Sequence, residues 1–208
     1  MKKSVIMLTL LNLAIFAQAF TDPRDGKTYK TVKIGTQTWM AQNMNYNSSG
    51  SSCYDNNSSG CEKFGRLYNW EAAKQACPVG WHLPSDNEWQ VLVNYVRSEL
   101  IAGKRYKSKI DWDLYDFSKS NPNDPKCKWK TADGEYDHCA SDDFGFSALP
   151  GGYGSHSYFM AGNLGYIWSS TEFDEYSAWF RSMYYNFSSV LRLYFDKKFH
   201  LSVRCLKD

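Results

Sequence analysis

The 208-residue chain reads as an α+β domain, and three observations carry that reading. Helical signals are confined to an early stretch, short alternating runs fill the last third, and a long irregular segment lies between them. With 43% hydrophobic and 22% charged residues, the chain has apolar material for a core and lacks the bias of a disordered, collagenous or coiled-coil sequence. The aromatic share, 17%, is the compositional feature that asks for a physical explanation.

The elements follow in chain order. Residues 1–19 carry a basic start at Lys2 and Lys3, an apolar run over 5–17 and a small-residue pattern at Ala17, Gln18 and Ala19, the features of a secretory signal peptide cut after Ala19. The apolar run is shorter than the roughly 18 residues a membrane span needs and contains Asn12. No later segment approaches a span, so residues 20–208 are expected to form one exported domain, periplasmic, at the cell surface or extracellular. Removal of 1–19 takes away two lysines and no acid, which brings the net charge from +2 to zero. No basic cluster follows Thr21, which argues against nucleic acid as a partner.

Residues 27–34 alternate with Val32 and Ile34 on one face, Gly35 and Thr36 can turn, and 37–40 return, which predicts an opening hairpin. Residues 43–60, rich in Asn, Ser and Gly, read as a loop. Asn69 can cap a short helix that Pro78 stops. Ser85 and Glu88 form a capping box before Trp89, Leu92, Val93, Val96 and Leu100, whose spacing predicts a second helix. Over 104–143 the pattern dissolves into charges, Asn, Pro and scattered rings. Four strands are predicted at 165–170, 178–185, 190–195 and 199–205, with Phe199, Leu201, Val203 and Cys205 on one face of the last.

Six cysteines in an exported chain point to disulfides. Cys53 and Cys61 bracket one polar loop and Cys127 and Cys139 another, each pair close enough for a local bridge, which leaves Cys77 for Cys205. A zinc site is not indicated, because no CxxC pair occurs and His138 stands beside a lone Cys139. The sequence lacks GxSxG and HExxH motifs, and its four histidines lie in separate segments. The carboxylate pairs Asp142/Asp143 and Asp174/Glu175 read as solvated turn residues.

Six stretches carry a resemblance: WMAQNMNY at 39–46, GRLYNWEAA at 65–73, CPVGWHLPSDNEW at 77–89, FSALPGGY at 146–153, YIWSSTE at 166–172 and SVRCLKD at 202–208. In this order they resemble the Fibrobacter succinogenes major paralogous domain family. The resemblance implies an exported bacterial domain with a fold distantly similar to C-type lectins and to the formylglycine-generating enzyme, and it implies no particular activity. It also implies the Cys77 to Cys205 pairing, a helix entry at Trp81, His82, Leu83 and Pro84, and a tight turn at Gly151 and Gly152. The lectin calcium signatures EPN, QPD and WND are absent, so no cofactor is expected, with calcium as the alternative. The oxidase branch of such a fold needs reactive thiols, whereas every cysteine here has a disulfide partner to hand.

Trp39, Trp70, Trp81, Trp89, Trp168 and Trp179 fall in predicted elements or family motifs and are assigned to the core. Trp112, Tyr115, Trp129, Tyr136, Tyr153, His156 and Tyr158 fall in irregular segments, near Asp113, Asp116, Asn123 and Asp133. Rings beside such polar groups suit a stacking surface for a sugar. The expected function is therefore a non-catalytic module for a polysaccharide or other surface polymer. The alternatives are a structural or adhesion domain that binds protein, and a divergent enzyme.

Overall fold

The computed structural model describes residues 18–112, 128–131, 134–137 and 140–208, with 128–131 and 134–137 as backbone alone. The chain opens with β1 (Gln18–Thr21), β2 (Thr28–Ile34) and β3 (Gln37–Met40), antiparallel in sequence order. Gly35, at φ 60°, and Thr36 make the two-residue turn between β2 and β3 that the alternation predicts. Next come β4 (Ser51–Ser52), a 3-10 turn (Tyr54–Asn56), α1 (Ser58–Phe64), β5 (Leu67–Tyr68), α2 (Trp70–Ala76), β6 (Trp81–His82), α3 (Asp86–Tyr95) and α4 (Glu99–Tyr106). Two small ladders follow, β7 (Lys128–Thr131) with β8 (Gly134–Asp137) and β9 (Tyr153–Gly154) with β10 (Tyr158–Phe159). The chain continues through β11 (Leu164–Glu172), β12 (Ser177–Tyr184), β13 (Leu191–Asp196), β14 (Leu201–Ser202) and β15 (Leu206–Lys207).

Local chemistry sets the two predicted helices. The Asn69 side chain accepts from the Ala72 amide at the start of α2. At α3 the Ser85 hydroxyl accepts from Glu88 N while the Glu88 carboxylate takes the Ser85 amide, a reciprocal capping box. The spacing that ran α3 on to Leu100 is corrected: Arg97 turns the backbone to φ 62°, α4 begins after Ser98, and Leu100 is left 76% exposed. α1 and α4 add to the two helices predicted. Tertiary contact accounts for α4, since Gly103 lies so close to the backbone of Ser188 and Ser189 that a side chain there would collide.

The strands form two larger sheets, ordered β1-β2-β3-β15-β6 and β13-β12-β11-β14-β5-β4. Within them β11 and β14 pair parallel and the other neighbours antiparallel. The predicted last strand is thus two, because residues 201–207 leave one sheet and enter the other. This crossover is buried on both sides: Leu201, Val203 and Cys205 are inaccessible, and so are Ser202 and Arg204. Its backbone also takes the amides of Met44, at Val203 O, and Met40, at Cys205 O.

β11 lies between two hydrophobic clusters. Tyr166 and Trp168 meet Trp70, Ala73 and Ala76 of α2 on one face, and Ile167 meets Trp89, Leu92 and Val93 of α3 on the other. Cys77 and Cys205 are bonded, as are Cys53 and Cys61, in agreement with the expected pairings. Cys127 and Cys139 lie outside the described residues. No described helix is long and apolar enough to cross a membrane.

Buried cations pin the layers. Arg204 donates from Nε to Asn43 Oδ1 (2.9 Å) and from its terminal nitrogens to the carbonyls of Met40, Phe146 and Ser147. Burial pushes its pKa down to about 9. Lys107, 1% exposed, donates from Nζ to the carbonyls of Tyr184, Tyr185 and Phe187 at 3.0–3.1 Å, and burial brings its pKa to about 7.

Candidate functional site

β13 is the outermost strand of its sheet, so among the described residues one edge is unpaired. Its sequence, LRLYFD, puts large side chains at five successive positions, and Leu191, Arg192, Leu193 and Tyr194 are all exposed. Successive side chains of β12 and β13 point to opposite faces of the sheet, and rings from both faces flank an open groove of about 750 Å³ at this edge. Tyr153, Tyr166, Phe180, Leu193 and Phe195 line one side of it, and Trp179, Arg192 and Tyr194 the other.

The second side is the more exposed. Trp179 and Tyr194 are cross-strand partners. Tyr194 stacks on Phe173 with centroids 3.9 Å apart and planes 9° from parallel, and Trp179 meets Phe173 edge-on at 4.9 Å. Tyr194 keeps 54% of its surface in solvent and Phe173 44%. The Arg192 guanidinium lies 3.4 Å above the Trp179 ring, and its Nε donates to Asp86 Oδ2 at 2.8 Å. Asp86, in the first turn of α3, also meets buried Arg181 at 2.9 Å. Burial lowers the Arg181 pKa, partly offset by Asp86.

Phe173 is fixed by the turn that follows β11. Asp174 accepts from the amides of Tyr176 and Ser177, which holds its carboxyl below the ordinary range. Lys197 ties Glu172 Oε1 to the carbonyls of Asp174 and Glu175. On the other side, Tyr153 stacks against Tyr166 and Phe159, and Phe195 stacks on Phe199 at 4.1 Å. Burial and the adjoining Tyr184 hydroxyl push the Tyr166 phenol upward, so it stays neutral.

The structure disperses the residues expected from sequence. Trp112 is corrected: it is 8% exposed, packs in the α3/α4 cluster and donates its indole N–H to Ala148 O, so it is no exposed platform. Tyr115 lies outside the described residues, and Trp129 and Tyr136 pair in the β7–β8 ladder, their side chains also outside the description. Tyr153 lines the groove. Tyr158 donates to Asn56 Oδ1 at 2.7 Å, and His156 is exposed at the tip of the β9–β10 hairpin. Conversely Trp179, expected in the core, is only partly buried and lines the groove, while its neighbours Phe173, Arg192 and Tyr194 are residues that the sequence reading does not single out. The signal was present in SAWFRSMY, where alternation places Trp179 opposite the buried Ala178 and Phe180.

Several polar groups elsewhere are paired with one another. A cavity of about 990 Å³ beside 109–111 and 142–145 contains Lys63 paired with Asp111 at 3.2 Å and Asp142 bonded to Ser147, and Phe144 is the single aromatic among its described lining residues. His82 lies between Asp208 (2.6 Å) and Glu88 (3.0 Å). His200 bonds Ser52 Oγ at 2.8 Å, and burial lowers its pKa. No group of three or more His, Cys, Asp or Glu suited to a metal occurs among the described residues.

The fold and groove define a chain of mixed helix and strand built on two larger sheets, with an aromatic edge. The family Fibrobacter succinogenes major domain matches residues 32–207, and the chain belongs to that family. Neither the curated proteins nor the solved structures compared with the chain match it.

Proposed function

We propose that the chain is an exported, non-catalytic binding module for a glycan or similar surface polymer, and that β13 and its flanking rings are the recognition surface. The observation that carries this reading is the half-exposed Phe173–Tyr194 stack beside Trp179 and Arg192. Large rings left in water forgo burial energy, and a contiguous exposed apolar patch is a mark of an interaction site. Sugar rings offer apolar C–H faces that stack on such a platform, while Arg192, oriented by Asp86, can reach hydroxyl or acidic groups. The framework behind the rings is held by α3 and by the Lys197-bound turn, so little conformational freedom would be lost on binding.

The test is a screen of the oxidised chain on a glycan array with and without calcium, followed by Tyr194→Ala and Trp179→Ala. Loss of a stacking ring should weaken binding by about 1–3 kcal/mol, on the scale of aromatic stacking with bases, while the melting temperature stays nearly unchanged. Retention unaffected by both substitutions would overturn the assignment of the surface. A protein partner is the second reading, favoured by the unpaired edge of β13, which could accept an added strand. Capture of a protein that persists in saturating polysaccharide would select it.

A further inference from the structure

We propose that the Cys53–Cys61 bond is a site of thiol–disulfide exchange, with Arg66 assisting departure of the leaving thiolate. The two described disulfides differ in their electrostatic surroundings. Arg66 Nη1 lies 3.5 Å from Cys53 Sγ and 3.6 Å from Cys61 Sγ, and within the described residues no carboxylate pairs with this arginine. Its other bonds go to Ser51, from Nε to Oγ at 3.0 Å and from Nη2 to O at 3.4 Å, which aim the guanidinium at the sulfurs. Among the described residues no donor reaches the sulfurs of Cys77 or Cys205. A positive charge beside a sulfur favours its thiolate, and a more acidic leaving thiol departs faster.

Cys53 is half-buried and Cys61 is 6% exposed, so an incoming thiolate meets Cys53 first. With a dithiol as the reductant, its thiolate bonds to Cys53 Sγ and the S–S bond breaks, the electron pair leaving on Cys61 Sγ beside Arg66. The second thiol of the reductant, deprotonated by solvent, then attacks its own partner sulfur in the mixed disulfide and expels Cys53 as thiolate. The reductant ends as a cyclic disulfide, and the two cysteines take up two electrons and two protons.

Opening the bond frees a segment with a structural duty. Tyr54 and Asn56 lie between the two cysteines; Asn56 accepts from Tyr158, the Tyr54 hydroxyl accepts from the Ala161 amide, and the Tyr54 and Tyr158 rings are 5.5 Å apart. Reduction would therefore loosen the β9–β10 hairpin while the Cys77–Cys205 bridge keeps the sheets joined.

The test treats the folded, oxidised full chain with dithiothreitol, quenches by alkylation at intervals and maps both bonds by peptide mass. Cys53–Cys61 is expected to open well before Cys77–Cys205, with faster hydrogen exchange at 158–161 and an otherwise folded chain. Arg66→Met should slow the opening by about threefold, the order that one unit of thiol acidity changes exchange rates, and Arg66→Lys should restore most of it. Equal rates in Arg66→Met and the parent overturn the proposal. Should that variant fail to fold, the parent decides: opening of both bonds together, only as the chain unfolds, overturns it.

Discussion

In the crossover at 201–207, the guanidinium of Arg204 lies 4.7 Å from the Phe146 ring, whereas on the outer hairpin that of Arg192 lies 3.4 Å from Trp179. The pairs are chemically alike and differ in what surrounds them. Arg204 is fully buried, its nitrogens on Asn43 and three backbone carbonyls, and it joins β3, the 146–147 segment and the crossover. Arg192 is 45% exposed and bonded through Nε to Asp86, and beside it the Tyr194 and Phe173 rings stay half in solvent. A cation over a ring is a fastening where the sheets close around it and part of a display where the sheet ends.

Substitutions separate the two regions by size of effect. Cys205→Ser should cost most, about 4–5 kcal/mol in the chain-entropy account of a long closed loop, in denaturant unfolding under oxidising conditions; Cys61→Ser should cost less, because its loop is short. Trp112→Ala should cost about 3–5 kcal/mol by the same measurement, through cavity formation and a lost bond to Ala148. Arg204→Met should cost about 3 kcal/mol, as it strands three buried carbonyls. Tyr194→Ala should change stability by about 0.5 kcal/mol or less, the range of surface substitutions. A collapse of Tyr194→Ala, or indifference of Trp112→Ala, would break the contrast between a holding region and a displaying one.

An effect of similar small size, but dependent on pH, concerns His82, at the margin of the holding region. Burial lowers its pKa, but hydrogen bonds to Asp208 and Glu88 outweigh that and raise it above the usual 6.5. A histidine with a raised folded pKa contributes stability that is complete below its unfolded pKa and is lost as pH rises through the folded value. The difference between parent and His82→Gln should therefore be about 0.5 kcal/mol below that window, the scale of a solvent-screened pair, and should vanish above it in thermal melts.

Much of the scaffold was legible because its causes are local. Asn69, the Ser85/Glu88 box and the Gly35–Thr36 turn act within a few residues, and the described cysteine pairs followed from spacing. What failed depended on distant partners. The apolar series through Leu100 kept helical spacing across the break at Arg97, and nothing near Gly103 announces its close approach to Ser188 and Ser189. The candidate site failed in the same way. Trp112 lies near the start of an irregular stretch yet is claimed by Ala148, while Trp179 lies in a strand whose outward face continues to an edge unpaired among the described residues. Periodicity tells which side chains share a face, and only the packing of distant elements tells whether anything covers it.

The crossover also bears on the order in which the sheets can be completed. β3 and β6 are both partnered by β15, and β11 and β5 both by β14, so residues 201–207 complete two sheets whose other members precede them in the chain. Pairings across such separations form slowly, since chain entropy must be lost before contact energy is gained. Until the crossover docks, the hairpin of β2 and β3 and the hairpin of β11 and β12 each carry an open rim. That interval is when a newly made chain is most exposed to pairing with its neighbours, and the docking of seven residues brings it to an end.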